Sequence, residues 1–131
     1  MSKIKVLIAD DHAVVRMGLR AYLNAEDDIE VVSEARNGAE AVANAVQTSP
    51  DVVVMDLIMP KKDGILATAE LKKKLPSAKV LILTSFSTSD GIAHAIEAGA
   101  SGALLKSVEN DVVVDAIRAI HAGRKVVPAN I

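Results

Sequence analysis

Short runs of β-branched and aliphatic residues alternate along the chain with longer stretches in which apolar residues recur every three or four positions. No other feature narrows the fold as far. Ile4 to Ala9, Ile29 to Ala35, Asp51 to Met55, Lys79 to Thr84 and Gly102 to Leu105 read as strands. Between and after them, His12 to Ala25, Gly38 to Thr48, Gly64 to Leu75, Ser89 to Ala98 and Glu109 to Ala122 carry helical periodicity. Strict alternation implies parallel pairing with right-handed crossovers. The near-continuous apolar runs Val6 to Ala9, Val52 to Met55 and Val80 to Leu83 fit a sheet covered on both faces. The expected fold class is α/β, a doubly wound five-stranded parallel sheet with five helices.

Local punctuation agrees with these boundaries. Asn37 with Glu40 resembles a capping box, Asp63 is placed to cap the third helix, and Pro76, Gly99 and Gly123 follow helix ends. No repeat, low-complexity tract or internal linker interrupts the pattern. At 131 residues, one hydrophobic core is the expectation, with residues 1–124 as the domain and 125–131 as a tail or the start of a linker.

Composition removes several function classes. Tyr22 and Phe86 are the only aromatics, too few to stack single-stranded nucleic acid, and a net charge of −2 argues against a broad phosphate-binding face. The run Lys72, Lys73 and Lys74 reads as the solvated end of a helix. With no cysteine, neither disulfides nor thiolate metal sites contribute. The opening apolar run is too short for a signal-peptide core or a membrane span, so a cytoplasmic location without membrane attachment is expected.

Ligands of open α/β sheets bind outside the carboxyl ends of the strands. The polar residues at those ends are Asp10, Asp11, Asp56, Thr84, Ser85 and Lys106. A lone Asp after a strand is usually a turn former or cap. Several carboxylates converging on one crevice are different, because like charges a few Å apart resist joint ionisation unless a cation lies between them. Oxygen donors without soft ligands favour a hard ion such as Mg²⁺, held by carboxylates and a substrate phosphate. A carboxylate can itself attack a phosphoryl group, and that transfer depends on in-line placement and neutralisation of the equatorial oxygens. Mg²⁺, the Lys106 ammonium and the Thr84 hydroxyl would each face one oxygen. His12, His94 and His121 are scattered and stay outside the expected site. Met17, Met55 and Met59 read as core or boundary fillers.

These residues carry a resemblance. Asp10-Asp11 after the first strand, Met55-Asp56-Leu57-Ile58-Met59-Pro60 followed by Asp63-Gly64, Leu83-Thr84-Ser85, and Gly99-Ala100-x-Gly102-x-Leu104-Leu105-Lys106 make the chain similar, over nearly its whole length, to response-regulator receiver domains. The resemblance implies the flavodoxin-like strand order 2-1-3-4-5 and Asp56 as phosphoacceptor. It also implies Mg²⁺ held by Asp11, Asp56 and the Ile58 backbone carbonyl, with Asp10 acting through a water and Mn²⁺ able to substitute. Thr84 and Lys106 would contact the phosphoryl group as the catalytic and switch residues. Ile58 and Phe86 would flank the path of a hydrolytic water.

The implied partners are a sensor histidine kinase and, on phosphorylation, a second copy of the chain. Leu7 to His12 and Ala116 to Ile120 resemble the NarL/LuxR type, whose members usually carry a helix-turn-helix DNA-binding domain after the receiver. DNA contact, and hence transcription control, would run through such a domain, which the sequence given does not include. It is expected to be either a fragment or a stand-alone regulator. Two departures stand out: Ala103 replaces the usual aromatic three residues before the Lys, and Ser107 replaces the Pro that often follows it.

The main rival is a Mg²⁺-dependent aspartyl phosphatase, which would want Asp-x-Asp after its first strand and a cap over the pocket. A flavin or nucleotide binder would need a Gly- or Ser/Thr-rich phosphate loop where Asp10-Asp11-His12-Ala13 stands.

Overall fold

A strand with apolar side chains at successive positions must be covered on both sides, and the three inner strands of the sheet nearly are, whereas the edge strand at residues 29–35 is mostly half-buried. The structure is a computed structural model and describes residues 3–85 and 89–126. Among the described residues, five strands alternate with five helices: β1 (Ile4–Ala9), α1 (Ala13–Asn24), β2 (Ile29–Ala35), α2 (Gly38–Thr48), β3 (Val52–Met55), α3 (Gly64–Lys74), β4 (Lys79–Thr84), α4 (Ser89–Glu97), β5 (Gly102–Leu105) and α5 (Asn110–His121). All strand pairs are parallel, in the order β2-β1-β3-β4-β5. The expected class and order both hold, and the element ends agree to within a residue.

The two-residue period of a strand divides the core. Leu7, Ala9, Val53 and Met55 face Ala45, Leu71 and Ile92 on α2, α3 and α4. Val6, Ile8, Val52 and Val54 face Leu23, Ile117 and Ile120 on α1 and α5. Burying one such Leu or Ile contributes about 1.5–3 kcal/mol, so the paired clusters hold the strand ends in fixed register. Val6 lies opposite Val31 but Leu7 opposite Ser33, which leaves Val32 as an extra residue in the edge strand.

Helix ends follow the sequence with two refinements. Asn37 Oδ1 accepts from the Glu40 N–H at 2.9 Å, while the Glu40 carboxylate reaches back to the N–H of Arg36, one residue before the cap. Asp63 caps α3 through the Leu66 N–H. Lys73 and Lys74 are exposed, as expected of a solvated helix end. Lys72 instead folds over that end and donates to the carbonyls of Pro76 and Ala78. Gly99 and Gly123 have positive φ, 119° and 95°, at their turns.

Beyond α5 the chain turns back and Val126 forms a parallel bridge with Gly102. The Ala103 N–H donates to the Val126 carbonyl at 2.8 Å. The segment that looked like an aperiodic tail thus covers part of the β5 edge, at least as far as Val126. Among the described residues no helix is long and apolar enough to cross a membrane.

Candidate functional site

β1 and β3 are neighbours although β2 lies between them in sequence, so the chain's winding reverses here and a crevice opens at their carboxyl ends. Asp10 and Asp11 follow β1 and Asp56 follows β3. The Asp56 N–H donates to the Ala9 carbonyl at 3.0 Å, which ties the two strand ends together. Thr84 ends β4, fully buried, and its carbonyl accepts from the Lys106 N–H at 2.8 Å. The loop after β3 returns closely to its own start. A Cβ on Gly64 would lie 2.2 Å from the Asp56 carbonyl oxygen, so only glycine fits at that turn.

Asp10 and Asp56 are buried, whereas Asp11 is partly exposed. The Lys106 ammonium stands 2.6 Å from Asp10 Oδ2 and 2.9 Å from Asp56 Oδ2. Burial pushes the Asp56 carboxyl above its ordinary range. Lys106 and a backbone N–H of Ile58 oppose the rise, while the charge of Asp10 adds to it. For Lys106, burial works against the charged form but is outweighed by hydrogen bonds to Asp10 and Asp56, so its affinity for the proton is raised. The directions are consistent because one cation faces two anions: Lys106 is doubly compensated, and Asp56 holds only a share of it.

The structure therefore brings Asp10, Asp11, Asp56, Thr84 and Lys106 to one mouth, as the strand-end argument expected. Ser85 is exposed beside Thr84. Ile58 stands on the loop after β3 with its side chain 58% exposed. Phe86 lies outside the described residues. His94 and His121 are exposed and away from the cluster, while Met55 and Met59 are buried core residues. Met17 is 69% exposed, so it fills no core.

His12 is a correction. Its Nδ1 lies 3.1 Å from Asp10 Oδ1 and 3.2 Å from Asp11 Oδ1, so the imidazole stands at the rim of the acidic corner. As the residue before α1, it also donates its N–H to Asp10 Oδ1 at 2.8 Å. Adjacency to Asp10-Asp11 was the available signal. The absence of a second histidine at ligand spacing obscured it.

Ligand atoms of Asp10, Asp11, His12 and Asp56 lie within 4.8 Å of one another. Three carboxylates against one ammonium leave an excess of negative charge, and the donors are predominantly hard oxygens. The cluster is compatible with a divalent metal ion.

The family model described as the response regulator receiver domain matches residues 6–118. The chain belongs to that family. It is 49% identical over 120 residues to the transcriptional regulatory protein LiaR of Bacillus subtilis, covering 92% of this chain and 57% of LiaR. The receiver chain thus spans little more than half the length of that relative. It superposes on the crystal structure of a LuxR-family two-component response regulator from Aurantimonas sp. SI85-9A1 with a TM-score of 0.93 and 38% identity, covering 99% of this chain and 93% of the other. The isolated REC domain of RcsB from Salmonella enterica serovar Typhimurium, solved in the presence of phosphomimetic BeF3-, gives a TM-score of 0.88 at 27% identity, covering 98% and 95%. The chain is a receiver domain of the two-component response-regulator type.

Proposed function

We propose that this receiver takes a phosphoryl group onto Asp56 from the phosphohistidine of a sensor kinase. One observation carries the reading: Asp56 is a buried carboxylate 2.9 Å from the Lys106 ammonium and grouped with Asp10 and Asp11. An Asp56 oxygen attacks phosphorus, the P–N bond breaks, and the imidazole nitrogen keeps the electron pair and takes up a proton. Lys106 exchanges its bond to Asp56 for a phosphoryl oxygen while keeping Asp10. The buried Thr84 at the end of β4 supplies a hydroxyl to another oxygen. Asp11, Asp56 and the Ile58 carbonyl would hold Mg²⁺ directly, with Asp10 acting through a water. When bound, the ion neutralises charge on the phosphoryl oxygens. Mn²⁺ would substitute.

The same groups make the chain its own catalyst of phosphorylation and dephosphorylation, and thereby a switch in the cytoplasm. Phosphorylation adds charge at one mouth of the sheet and biases conformation or self-association, with a symmetric pair as the expected assembly. LiaR is a transcriptional regulatory protein, which supports transcription as the output, exerted through a helix-turn-helix region outside the receiver. The residue assignments are tested with acetyl phosphate, Mg²⁺ and intact-mass measurement. The parent should gain one phosphoryl group and Asp56→Asn none. Stoichiometric labelling of that variant would remove the assignment, and continuous release of phosphate at high turnover would favour the phosphatase reading.

A further inference from the structure

Arg16 stands in the first turn of α1, where a cation opposes the helix dipole. Its guanidinium is nevertheless mostly withdrawn from water, with the side chain 14% exposed. Two contacts compensate it. Nε reaches Glu34 Oε1 on β2 at 3.3 Å, and Nη1 donates to the Asp10 backbone carbonyl at 2.7 Å. Glu34 is held independently by Arg20 Nη1 at 3.0 Å. Arg16 is therefore not needed to neutralise Glu34, and its distinctive contact is the one to Asp10.

That carbonyl belongs to the rigid peptide plane that continues into the N–H of Asp11. The Asp10 N–H is tied to the Ala35 carbonyl and its side chain to the His12 N–H. With the Arg16 bond added, Asp10 is held at its N–H, its side chain and its carbonyl, and the carbonyl bond sets the plane of the Asp10–Asp11 peptide from which Asp11 leaves. Asp11 has little else to hold it: its side chain is 33% exposed, and among the described residues its ion-pair partner is the His12 ring at 3.2 Å, itself 65% exposed and shared with Asp10. We propose that Arg16 is a positioning residue for Asp11, and through it for the divalent ion, acting by way of the Asp10 carbonyl. The assignment rests on the Mg²⁺-dependent reading above and adds a residue to it.

Charge and geometry predict opposite signs. Removing a cation that touches the Asp10 main chain at the edge of the acidic cluster would, on charge alone, tighten binding of a divalent ion. Removing a group that orients a ligand weakens it, on the scale of tenfold or more, roughly, for supporting residues. The test is Mg²⁺ affinity by calorimetry, with Mn²⁺ binding by EPR as a second probe, for the parent, Arg16→Met and Arg20→Met. Arg16→Met keeps the apolar stem and should bind Mg²⁺ about tenfold more weakly. Arg20→Met, which loses only its Glu34 contact, should match the parent.

With acetyl phosphate, Arg16→Met should need more Mg²⁺ for half-maximal rate yet recover the parent rate at saturation. A merely destabilised fold would not give that split. Should Arg16→Met fail to fold by circular dichroism, Arg16→Lys carries the test: a single ammonium drawn to Glu34 leaves the carbonyl unheld, and Mg²⁺ affinity should still fall. Unchanged or tighter Mg²⁺ binding in the folded variant, or an equal loss in Arg20→Met, overturns the Arg16 assignment alone. A parent that binds no Mg²⁺ and takes no phosphoryl group overturns the functional reading and this assignment together.

Discussion

Lys106 reaches Asp56 across 2.9 Å even though fifty residues separate them in sequence, and it touches Asp10 in the same position. On the proposed reading the ammonium occupies ground that a phosphoryl oxygen on Asp56 would need, and Lys106 would have to change partners to accept one. Asp56 is left with a net penalty for its charge, dominated by burial. In metal-free protein its carboxyl should titrate above the ordinary value of about 4, and Lys106→Met should raise it further by removing the principal opposing partner. Carbon-detected NMR of the Asp56 carboxyl reads both midpoints. A parent midpoint at or below about 4 would show that burial does not dominate.

The same shift fixes a stability signature. A carboxyl with a raised folded-state pKa binds more protons folded than unfolded in the window above its unfolded value, so stability falls as pH rises through that window. Asp56→Asn should remove that fall and gain stability relative to the parent on the neutral side. Urea denaturation in chelator at several pH values checks the sign. A parent curve that rises more steeply than the variant's across this window would contradict it.

Gly38 begins α2 against the loop that carries Ile58. Its N–H donates to the Lys62 carbonyl at 2.9 Å, and a Cβ there would meet that oxygen at 2.1 Å. Gly38→Ala must displace the loop after β3 and should cost about 1–3 kcal/mol, the range of overpacking. Gly18, inside α1 with nothing within 4 Å of a built Cβ, is the matched comparison. Gly18→Ala should stabilise by about 0.5–1 kcal/mol through helix propensity. Denaturation midpoints giving the two substitutions the same sign would show that the loop contact does not restrain Gly38.

The β5 edge offers a fourth check. Gly102 lies under Val126, whose carbonyl oxygen would be 2.5 Å from a Cβ, with Ile120 Cδ1 at 3.1 Å. Gly102→Ala should push the 124–126 segment off the edge and strip the Ala103 amide of its acceptor. Hydrogen exchange should then accelerate at Ala103 and stay slow at Lys106, whose amide is bonded to Thr84 on the other side. Unchanged Ala103 protection would mean that the edge tolerates the methyl without releasing the strap.

The sequence made the sheet and most of the site legible for one reason: both depend on period and position along the chain. Apolar runs marked the strands, and the residues at their carboxyl ends converge once winding is specified. Asp10, Asp11, Asp56, Thr84 and Lys106 needed no more than that. His12, Arg16, Gly38 and Val126 depend on contacts between segments distant in sequence or on how a side chain turns at a corner. Arg16 reads as an ordinary polar helix residue until Glu34 and the Asp10 carbonyl are seen around it. Val126 lies in a segment without periodicity because a single bridge on one edge needs none. Lys72 reads as solvated because a capping lysine differs from a free one only in the turn that follows.

The lifetime of the phosphorylated state is the last expectation. Ile58 stands two residues after Asp56, the proposed acceptor, is 58% exposed, and lines a cleft of about 360 Å³ with Leu57, Thr84 and Gly91. Hydrolysis needs a water in line with the phosphorus–oxygen bond. An aliphatic side chain at this position cannot orient one by hydrogen bonding, and Phe86, the other residue the resemblance sets on this path, is also apolar. The phosphorylated chain should therefore be long-lived. An exposed apolar side chain is commonplace and need not shield anything, so the substitution must discriminate. Ile58→Asn supplies a donor and an acceptor at little change in size and should speed loss of the phosphoryl group several-fold, short of the roughly hundredfold that a placed general base gives. Combining it with Phe86→Glu should speed loss further. Time courses of intact mass in Mg²⁺ buffer, after removal of the phosphodonor, measure the rates, and variants that lose the group no faster than the parent would show that these side chains do not set the lifetime.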